Sequence, residues 1–368
     1  MLYVILAYIS YPFVRLASRF FCNGSDSILV FQTAKIGDMI CTTPVFREIK
    51  RARPGTRLGV VADPVAAPLL RFNPHIDEII EFKKEWKRGL GGKLAFAREL
   101  RARRYCEALI LMPNTANVLA ALWSMALKRV AVYPDFVGRT QRWLLRLNTA
   151  LEYHQRPGMA METYLRSLRH LGVKGYGTDK EVYGAPGSAV ASGCLKGPGP
   201  FVGVVLGTGN DLKDWGTENF IGLVRLILDK TGVAGVALLG SDKEQDKAAL
   251  VIEGAGGKGR VIDLCGRFAL SEMPEVLKKM SVVIGVDTGL VYMADALGVP
   301  VVDIAGPCDM DDQRPTGKKS VIVQRKDLPC VPCSHTFKAP YGCRYGHRAC
   351  VKGITVEEVF EVLKLPAS

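Results

Sequence analysis

Short apolar runs alternate with helical patterns along the chain from Ser27 onward. The predicted strands are Ile28–Gln32, Arg57–Ala62, Glu78–Phe82, Ala108–Met112, Phe201–Leu206, Val233–Leu239, Val282–Gly285 and Val299–Ile304. Strands that alternate with helices usually form a parallel sheet covered on both faces. The pattern therefore predicts an α/β protein.

The stretches between these strands carry apolar residues at helical spacing. They predict helices at Met39–Ala52, Lys93–Arg103, Ala116–Leu127, Gln141–Leu151, Glu162–Leu171, Glu218–Leu228, Lys243–Glu253 and Ser271–Lys279. Residues 186–200, rich in Gly, Pro, Ala and Ser, break the periodicity and predict a linker. We expect Rossmann-like doubly wound domains at residues 25–185 and 201–350, facing a cleft, and a C-terminal helix at residues 351–368.

Residues 1–24 are dominated by apolar side chains that Pro12, Arg15 and Arg19 interrupt. They fit neither a clean transmembrane span nor a secretory signal peptide. We expect a membrane-interfacial helix whose arginines bind lipid phosphates while four side chains enter the acyl region: Phe13, Leu16, Phe20 and Phe21. The alternative is a helix packed on the protein's own surface.

The size and charge of the chain extend this interpretation. At 368 residues and 48% apolar composition, two domains are the default expectation. The formal net charge of +13 favours phosphates, anionic lipid or nucleic acid as partners. Nucleic acid has little support because the basic residues are not interleaved with stacking aromatic residues. The basic stretch Lys83–Arg104, which includes Trp86, fits lipid or oligosaccharide phosphates, or simply a solvated helix surface.

The loop from Gln32 to Asp38 follows a predicted buried strand and opens a helix. Gly37 allows close backbone approach, and Asp38 falls in the first helical turn, where the helix dipole keeps a carboxylate ionised. Such a carboxylate can accept a proton late in a reaction, when the attacking hydroxyl has become acidic. The alternative is that Asp38 only caps the helix.

Three predicted strand-end loops in the second half suit phosphate. The first contains Thr208 and Lys213, and taken alone it could be a solvated turn. The second, Gly285 to Gly289, places the Thr288 hydroxyl at a helix start with free amides. The third is Gly306-Pro307-Cys308-Asp309. Together they predict an anion-binding site.

Ten cysteines without an export signal suggest thiols in a reducing compartment. Cys330, Cys333, Cys343 and Cys350 suit a structural zinc site by residue type, with His335 or His347 as a substitute ligand. A local disulfide or free thiols packed in a loop remain alternatives.

The ordered set of motifs resembles glycosyltransferase family 9, the heptosyltransferases of lipopolysaccharide inner-core synthesis. The resemblance runs from about Ser27 nearly to the C-terminus. Its motifs are Ile28-Leu29-Val30, Lys35-Ile36-Gly37-Asp38-Met39, Thr43-Pro44-Val45, Asn73-Pro74-His75-Ile76-Asp77, Lys213-Asp214-Trp215, Leu239-Gly240-Ser241, Asp287-Thr288-Gly289, Ala296-Leu297-Gly298-Val299-Pro300 and Gly306-Pro307-Cys308-Asp309.

The resemblance implies a GT-B fold and an inverting, metal-independent transfer of heptose from ADP-heptose to a lipid A-Kdo type acceptor. Asp38 maps onto the family's general base, and Lys213 onto the lysine that binds the donor phosphates. The donor-binding residues are completed by Thr208, Asp287, Thr288, Gly289 and Tyr292, and the acceptor-binding candidates are Lys35, Asn114, Lys84 and Arg88. The implied partners are a nucleotide-diphosphate sugar, a lipid-linked phosphorylated glycan and the cytoplasmic face of the inner membrane.

Two departures affect the donor. Tyr292 stands where family members usually carry His, and a phenol cannot carry imidazolium charge. Asp295 stands where the family usually has a small residue. Another nucleotide sugar or glycan acceptor therefore remains an alternative, and so does a non-catalytic lipid- or glycan-binding protein on the same scaffold.

Overall fold

The computed structural model describes residues 2–22, 24–185, 195, 199–257 and 259–363. The chain divides into two compact units, one ending at Lys180 and the other beginning at Glu181. Most of the predicted linker, residues 186–200, lies outside the described residues.

A six-stranded parallel sheet forms the centre of the first unit, in the order β3-β2-β1-β4-β5-β6. Every residue of β1 is buried, as expected for a strand covered by helices on both faces. The strands are β1 (Ser27–Gln32), β2 (Arg57–Ala62), β3 (Glu78–Glu81), β4 (Glu107–Ile110), β5 (Lys128–Tyr133) and β6 (Ala150–Tyr153). Its helices are α1 (Leu2–Phe21), α2 (Ile36–Ala52), α3 (Gly89–Ala102), α4 (Thr115–Trp123), α5 (Arg139–Leu145) and α6 (Ala160–Ser167).

The second unit repeats this architecture, with the order β12-β11-β10-β7-β8-β9 and parallel pairing throughout. Its strands are β7 (Phe201–Val205), β8 (Gly235–Leu239), β9 (Val261–Asp263), β10 (Met280–Val286), β11 (Val301–Ile304) and β12 (Val321–Val323). Its helices are α7 (Thr217–Lys230), α8 (Gln245–Ala255), α9 (Met273–Leu277), α10 (Gly289–Ala296), α11 (Ala349–Lys352) and α12 (Val356–Glu361).

Each sheet has a switch point where the strand order reverses. Successive strands extend from β1 in one direction, and the chain then returns to place β4 on the other side of β1. The second unit does the same around β7 and β10. Ligands of open α/β sheets bind outside the carboxyl ends of the strands at such a point. The predicted α/β class with two doubly wound sheets is confirmed.

Several predicted boundaries were wrong. The helix expected at Gln141–Leu151 ends at Leu145, and Ala150–Tyr153 is the edge strand β6. A four-residue strand such as β6 is too short to be told from a helix segment by periodicity alone, and β5, β9 and β12 were missed as well. The expected C-terminal helix is two short helices, because Thr355 caps α12 through a reciprocal pair of bonds with Glu358.

Helix α1 has a buried face and an exposed face. Val4, Ala7, Val14 and Ser18 pack against the first unit. Phe13, Leu16 and Phe20 are exposed as expected. Phe21 is half-buried, with the Arg101 guanidinium 5.0 Å from its ring centre. By length and composition, α1 is also long and apolar enough to cross a membrane.

Candidate functional site

Asp38 lies half-buried in the first turn of α2, directly after β1. Lys35 occupies the N-cap position, so Asp38 is the third residue of the helix rather than its cap. The buried Gln32 amide donates to the Thr42 hydroxyl (2.9 Å), which in turn donates to the Asp38 carbonyl (2.8 Å). This chain of hydrogen bonds fixes the helical turn that carries the Asp38 carboxylate.

The loop after β4 meets this turn through Thr33. The amides of Asn114 and Asn117 donate to the Thr33 hydroxyl at 3.0 and 2.8 Å. Asn114 also accepts from the Asn117 backbone amide (3.0 Å) and thereby caps α4. Lys35 and Asn114 therefore cap the two helices that follow β1 and β4, Asp38 lies in the first turn of α2, and Thr33 joins the two segments at the β1/β4 switch point. Sequence reasoning missed Thr33 and Asn117, whose contact depends on strand order.

Lys84 and Arg88 are exposed and follow β3, the edge strand two positions away from β1. The predicted basic stretch around them is not one solvated surface. Lys93 is buried, and its ammonium donates to the Lys87 and Gly89 carbonyls, both at 3.0 Å. Burial lowers the pKa of Lys93. Trp86 is buried and stacked on a phenylalanine, so it offers no platform for a ligand.

The second unit has an ion pair at its switch point, between Lys213 after β7 and Asp287 after β10. The Lys213 ammonium bonds the Asp287 carboxylate and also its carbonyl oxygen (3.3 Å). Asp287 is 7% exposed. Burial alone would lower the pKa of Lys213, but the charges and hydrogen bonds of Asp287 and Cys308 together raise it. Both groups are therefore charged at neutral pH.

Two further side chains bind the Asp287 carboxylate. The Tyr292 hydroxyl donates to Oδ1 (2.7 Å), and the Cys308 thiol donates to Oδ2 (3.2 Å). Burial alone would raise the pKa of Asp287, but Lys213 and these donors lower it. Tyr292 is 2% exposed, and its hydroxyl faces Asp287 in the interior of the unit. Cys308 brings the third predicted loop, Gly306 to Asp309, to the same site.

Thr208, Thr288 and Gly289 are half-buried. Thr208 precedes Lys213 in the loop after β7, and Thr288 and Gly289 directly follow Asp287. Thr288 is the N-cap residue of α10, so the first amides of that helix follow directly after Asp287. The Thr208 hydroxyl is bonded to the Asn210 backbone (3.3 Å). A second pair, Lys247 with Asp214 (2.6 Å), ties α8 to the Lys213 loop and was not predicted.

Asp295, the second departure from the family pattern, has a structural explanation. Its carboxylate accepts from the Thr316 and Gly317 amides at 3.0 and 2.8 Å and from the Ser320 hydroxyl at 2.6 Å. These bonds hold the turn that leads into β12. Asp295 is 6% exposed, and its position argues for a role in the fold.

All four cysteines of the predicted zinc site lie in the described part of the chain, but no three of their sulfur atoms lie within 4.8 Å of one another. Burial raises the pKa of Cys350 to about 11, and Cys333, Cys330 and Cys343 add to the rise through their charges. Zinc ligation by the four cysteines therefore stays a prediction. His335 lies against Asp309 instead, with its Nδ1 2.8 Å from Asp309 Oδ2. One ligand atom each of Asp309, Asp312 and His335 lies within 4.8 Å of the others, a second arrangement that could hold an ion.

Comparisons with known proteins converge on one family. The sequence profile of glycosyltransferase family 9 (heptosyltransferase) matches residues 93–341. Lipopolysaccharide heptosyltransferase 1 of Pseudomonas aeruginosa is 24% identical over 83% of this chain and 85% of its own length. Lipopolysaccharide heptosyltransferase 3 of Escherichia coli is 27% identical, over 80% of this chain and 88% of its own length.

Solved structures show the same fold. The E. coli ADP-heptose lipopolysaccharide heptosyltransferase II superimposes with a TM-score of 0.71 at 19% identity, covering 91% of this chain and 97% of that one. An iron-containing dodecameric glycosyltransferase of enterotoxigenic E. coli gives a TM-score of 0.55 at 17% identity, covering 92% of this chain and 75% of that one. The predicted GT-B fold is confirmed.

Proposed function

The chain belongs to glycosyltransferase family 9 and is a glycosyltransferase, and on this premise we propose that it transfers a heptose to a lipopolysaccharide core acceptor. The observation that carries the proposal is the Lys213–Asp287 pair at the switch point of the second unit. A lysine and the amides of a helix start, in a buried site, suit the diphosphate of a nucleotide sugar.

For the donor we propose ADP-heptose. The similar heptosyltransferase II of E. coli is named as an ADP-heptose enzyme, which supports this choice. Lys213 and the amides after Thr288 would stabilise the negative charge that develops on the departing diphosphate, as electrostatic catalysis requires. Asp287 would orient Lys213 and bond the sugar. The first amides of α10 and a fixed ammonium need no reorganisation when that charge appears.

For the reaction we propose an inverting displacement with Asp38 as general base. A hydroxyl oxygen of the acceptor forms a bond to the anomeric carbon, and the bond from that carbon to the diphosphate oxygen breaks. The hydroxyl proton passes to the Asp38 carboxylate, and the bonding electrons leave with the diphosphate. The position of Asp38 in the first turn of α2 supports an ionised base. The partner is a lipid-linked phosphorylated glycan of the lipid A-Kdo type.

Transfer assays with purified protein test the donor and the acceptor together. We expect turnover with ADP-heptose and a lipid A-Kdo acceptor, and none with UDP- or GDP-sugars. Activity should survive EDTA, since the proposed chemistry uses Lys213 and helix amides in place of a metal. Turnover with a different nucleotide sugar and none with ADP-heptose would instead support the alternative that Tyr292 suggests, a family member with another donor.

We also propose that Cys330, Cys333, Cys343 and Cys350 hold a structural metal ion, zinc by ligand type. The residue types and the two-residue gap between Cys330 and Cys333 support it, although the ligand atoms that lie within 4.8 Å of one another in the described residues belong to Asp309, Asp312 and His335. Elemental analysis of protein purified without added metal should find bound zinc or iron, lost in Cys333→Ser and kept in Cys22→Ser. Equal metal content in the two variants, or none in the wild type, would contradict the assignment.

A further inference from the structure

Helix α1 packs along the surface of the first unit. Its buried face packs on α4 and α5. The Tyr8 hydroxyl donates to the Trp143 carbonyl (2.9 Å), and the Trp123 indole donates to the Ser10 hydroxyl (3.0 Å). These contacts hold α1 on the surface of the first unit, with one side packed on the unit and the opposite side exposed.

That outer side is an apolar stripe. Leu2, Ile5, Ile9, Phe13, Leu16 and Phe20 recur every three or four residues and are exposed, Phe13 at 73% and Phe20 at 78%. Trp143 of α5, 51% exposed, extends the stripe sideways through its edge-on contact with Tyr8. Soluble monomers rarely expose a continuous apolar surface of this kind, so it marks an interaction site. We call it the α1/α5 face.

A groove runs beside the stripe, between α1 and α3. It encloses about 560 Å³, within the range of small-molecule pockets. Leu6 and Phe13 of α1, Leu90 and Leu94 of α3, and Trp123 at the end of α4 line it, with Arg98 and Arg101 also contributing. An apolar slot with guanidinium groups beside it suits a hydrocarbon chain attached to an anionic head group.

Arginines flank the α1/α5 face on both sides. Arg15 and Arg19 share the flank of α1 that carries Tyr8, by helical spacing, and Arg98 and Arg101 belong to the groove on the opposite flank. Arg139 and Arg142 of α5, and Arg146 directly after it, are exposed arginines. The sequences of α1 and α5 contain no Asp or Glu. This arrangement complements anionic lipid, because the charged groups meet phosphates as the apolar side chains enter the acyl region.

We propose that the α1/α5 face docks on an anionic lipid bilayer and that the groove takes up one lipid acyl chain. A second copy of the chain is a poorer occupant. A two-fold contact would bring the same arginines together with no carboxylate on α1 or α5 to pair with them. The proposal rests on the first unit alone and is independent of which sugar the enzyme transfers.

Vesicle flotation of the full chain tests the docking face. We expect binding to vesicles that contain phosphatidylglycerol, weaker binding to pure phosphatidylcholine, and further weakening by salt. Replacing two exposed side chains of the stripe, Phe13→Ser with Phe20→Ser, should lower binding at least about tenfold. The matched control is Val65→Ser with Leu250→Ser, two exposed apolar residues outside the face, which should bind as wild type does.

Two outcomes would overturn the docking proposal. One is equal vesicle binding by the stripe variant and its control. Another is no vesicle binding together with a dimer in light scattering that the stripe variant dissociates, which would make the face a contact between copies.

The groove has its own test. In a Trp143→Phe background, Trp123 is the tryptophan that lines the groove, while Trp86 and Trp215 are buried elsewhere. Vesicles of phosphatidylglycerol with brominated acyl chains should quench Trp123. Ala17→Phe, which fills the groove from α1, should remove the quenching while flotation persists. Quenching that Ala17→Phe leaves unchanged would contradict uptake of an acyl chain.

Discussion

At the first switch point, Thr33 joins two loops through neutral amides and Asp38 stays half-buried in a helical turn. At the second, Lys213 and Asp287 form a buried ion pair that Tyr292 and Cys308 complete. The two sheets have the same strand order, so the difference comes from the side chains that the loops present at equivalent positions.

The difference suits the two chemical roles that we propose for these switch points. A buried, fully bonded ion pair holds fixed charges in place, which suits the diphosphate of a donor. A half-buried carboxylate at a helix start suits the proposed general base, because its partial exposure leaves it open to solvent. We therefore expect changes at the second switch point to alter stability and donor affinity together, and changes at Asp38 to alter turnover alone.

The largest expected effect is that of Asp38→Asn. Loss of the general base should lower kcat by about 10²- to 10⁴-fold, while donor affinity and thermal stability stay near wild type. Steady-state transfer rates and donor titrations measure the two separately. The control is Glu81→Gln, an exposed carboxylate at the end of β3, which should keep full activity. A turnover loss no larger than the control's would remove Asp38 from the reaction.

Lys213→Met should have the next largest effect, because it leaves the Asp287 carboxylate buried without its cation. Breaking a buried pair costs about 3–5 kcal/mol of unfolding free energy. Chemical denaturation measures it, with Lys243→Met, at an exposed lysine, as the control. Donor affinity should fall as well. Unchanged stability would show that the pair does not organise the second unit.

Tyr292→Phe removes one donor from Asp287 and keeps the ring. A hydrogen bond to a charged group contributes about 1.5–3 kcal/mol, so we expect a smaller destabilisation than for Lys213→Met. The control is Tyr341→Phe, 82% exposed. If donor affinity falls while stability stays at the control level, Tyr292 bonds the donor directly and its bond to Asp287 is secondary.

The smallest expected effect is a change in how stability depends on acid pH. Because the folded state lowers the pKa of Asp287, the stability it provides is present above the ordinary value of 3.8 and is lost as pH falls through the lower folded pKa. Asp287→Asn should therefore flatten the loss of stability below about pH 4. Denaturation midpoints across that range measure it. An acid dependence identical in wild type and variant would contradict the lowered pKa.

The alternating pattern alone predicted much of the fold. Fully buried strands such as β1 read as continuous apolar runs, and the loops after β1, β7 and β10 carry recognisable polar residues. Strand-end chemistry is local in sequence, so Asp38, Lys213 and Asp287 could be selected without coordinates. Short edge strands such as β6 could not be predicted from the sequence, because four residues carry too little periodicity.

The sequence by itself determined the α/β class, the family and the residues worth testing. Only the tertiary structure decided which of them meet. Lys213 and Asp287 are 74 residues apart and join because β7 and β10 are neighbours. The same packing turned Tyr292 toward Asp287, buried Lys93 and gave α1 an exposed apolar face. The chemistry of each side chain can be read from the sequence. The residues that each side chain contacts depend on strand order and helix orientation, which arise from packing over the whole unit.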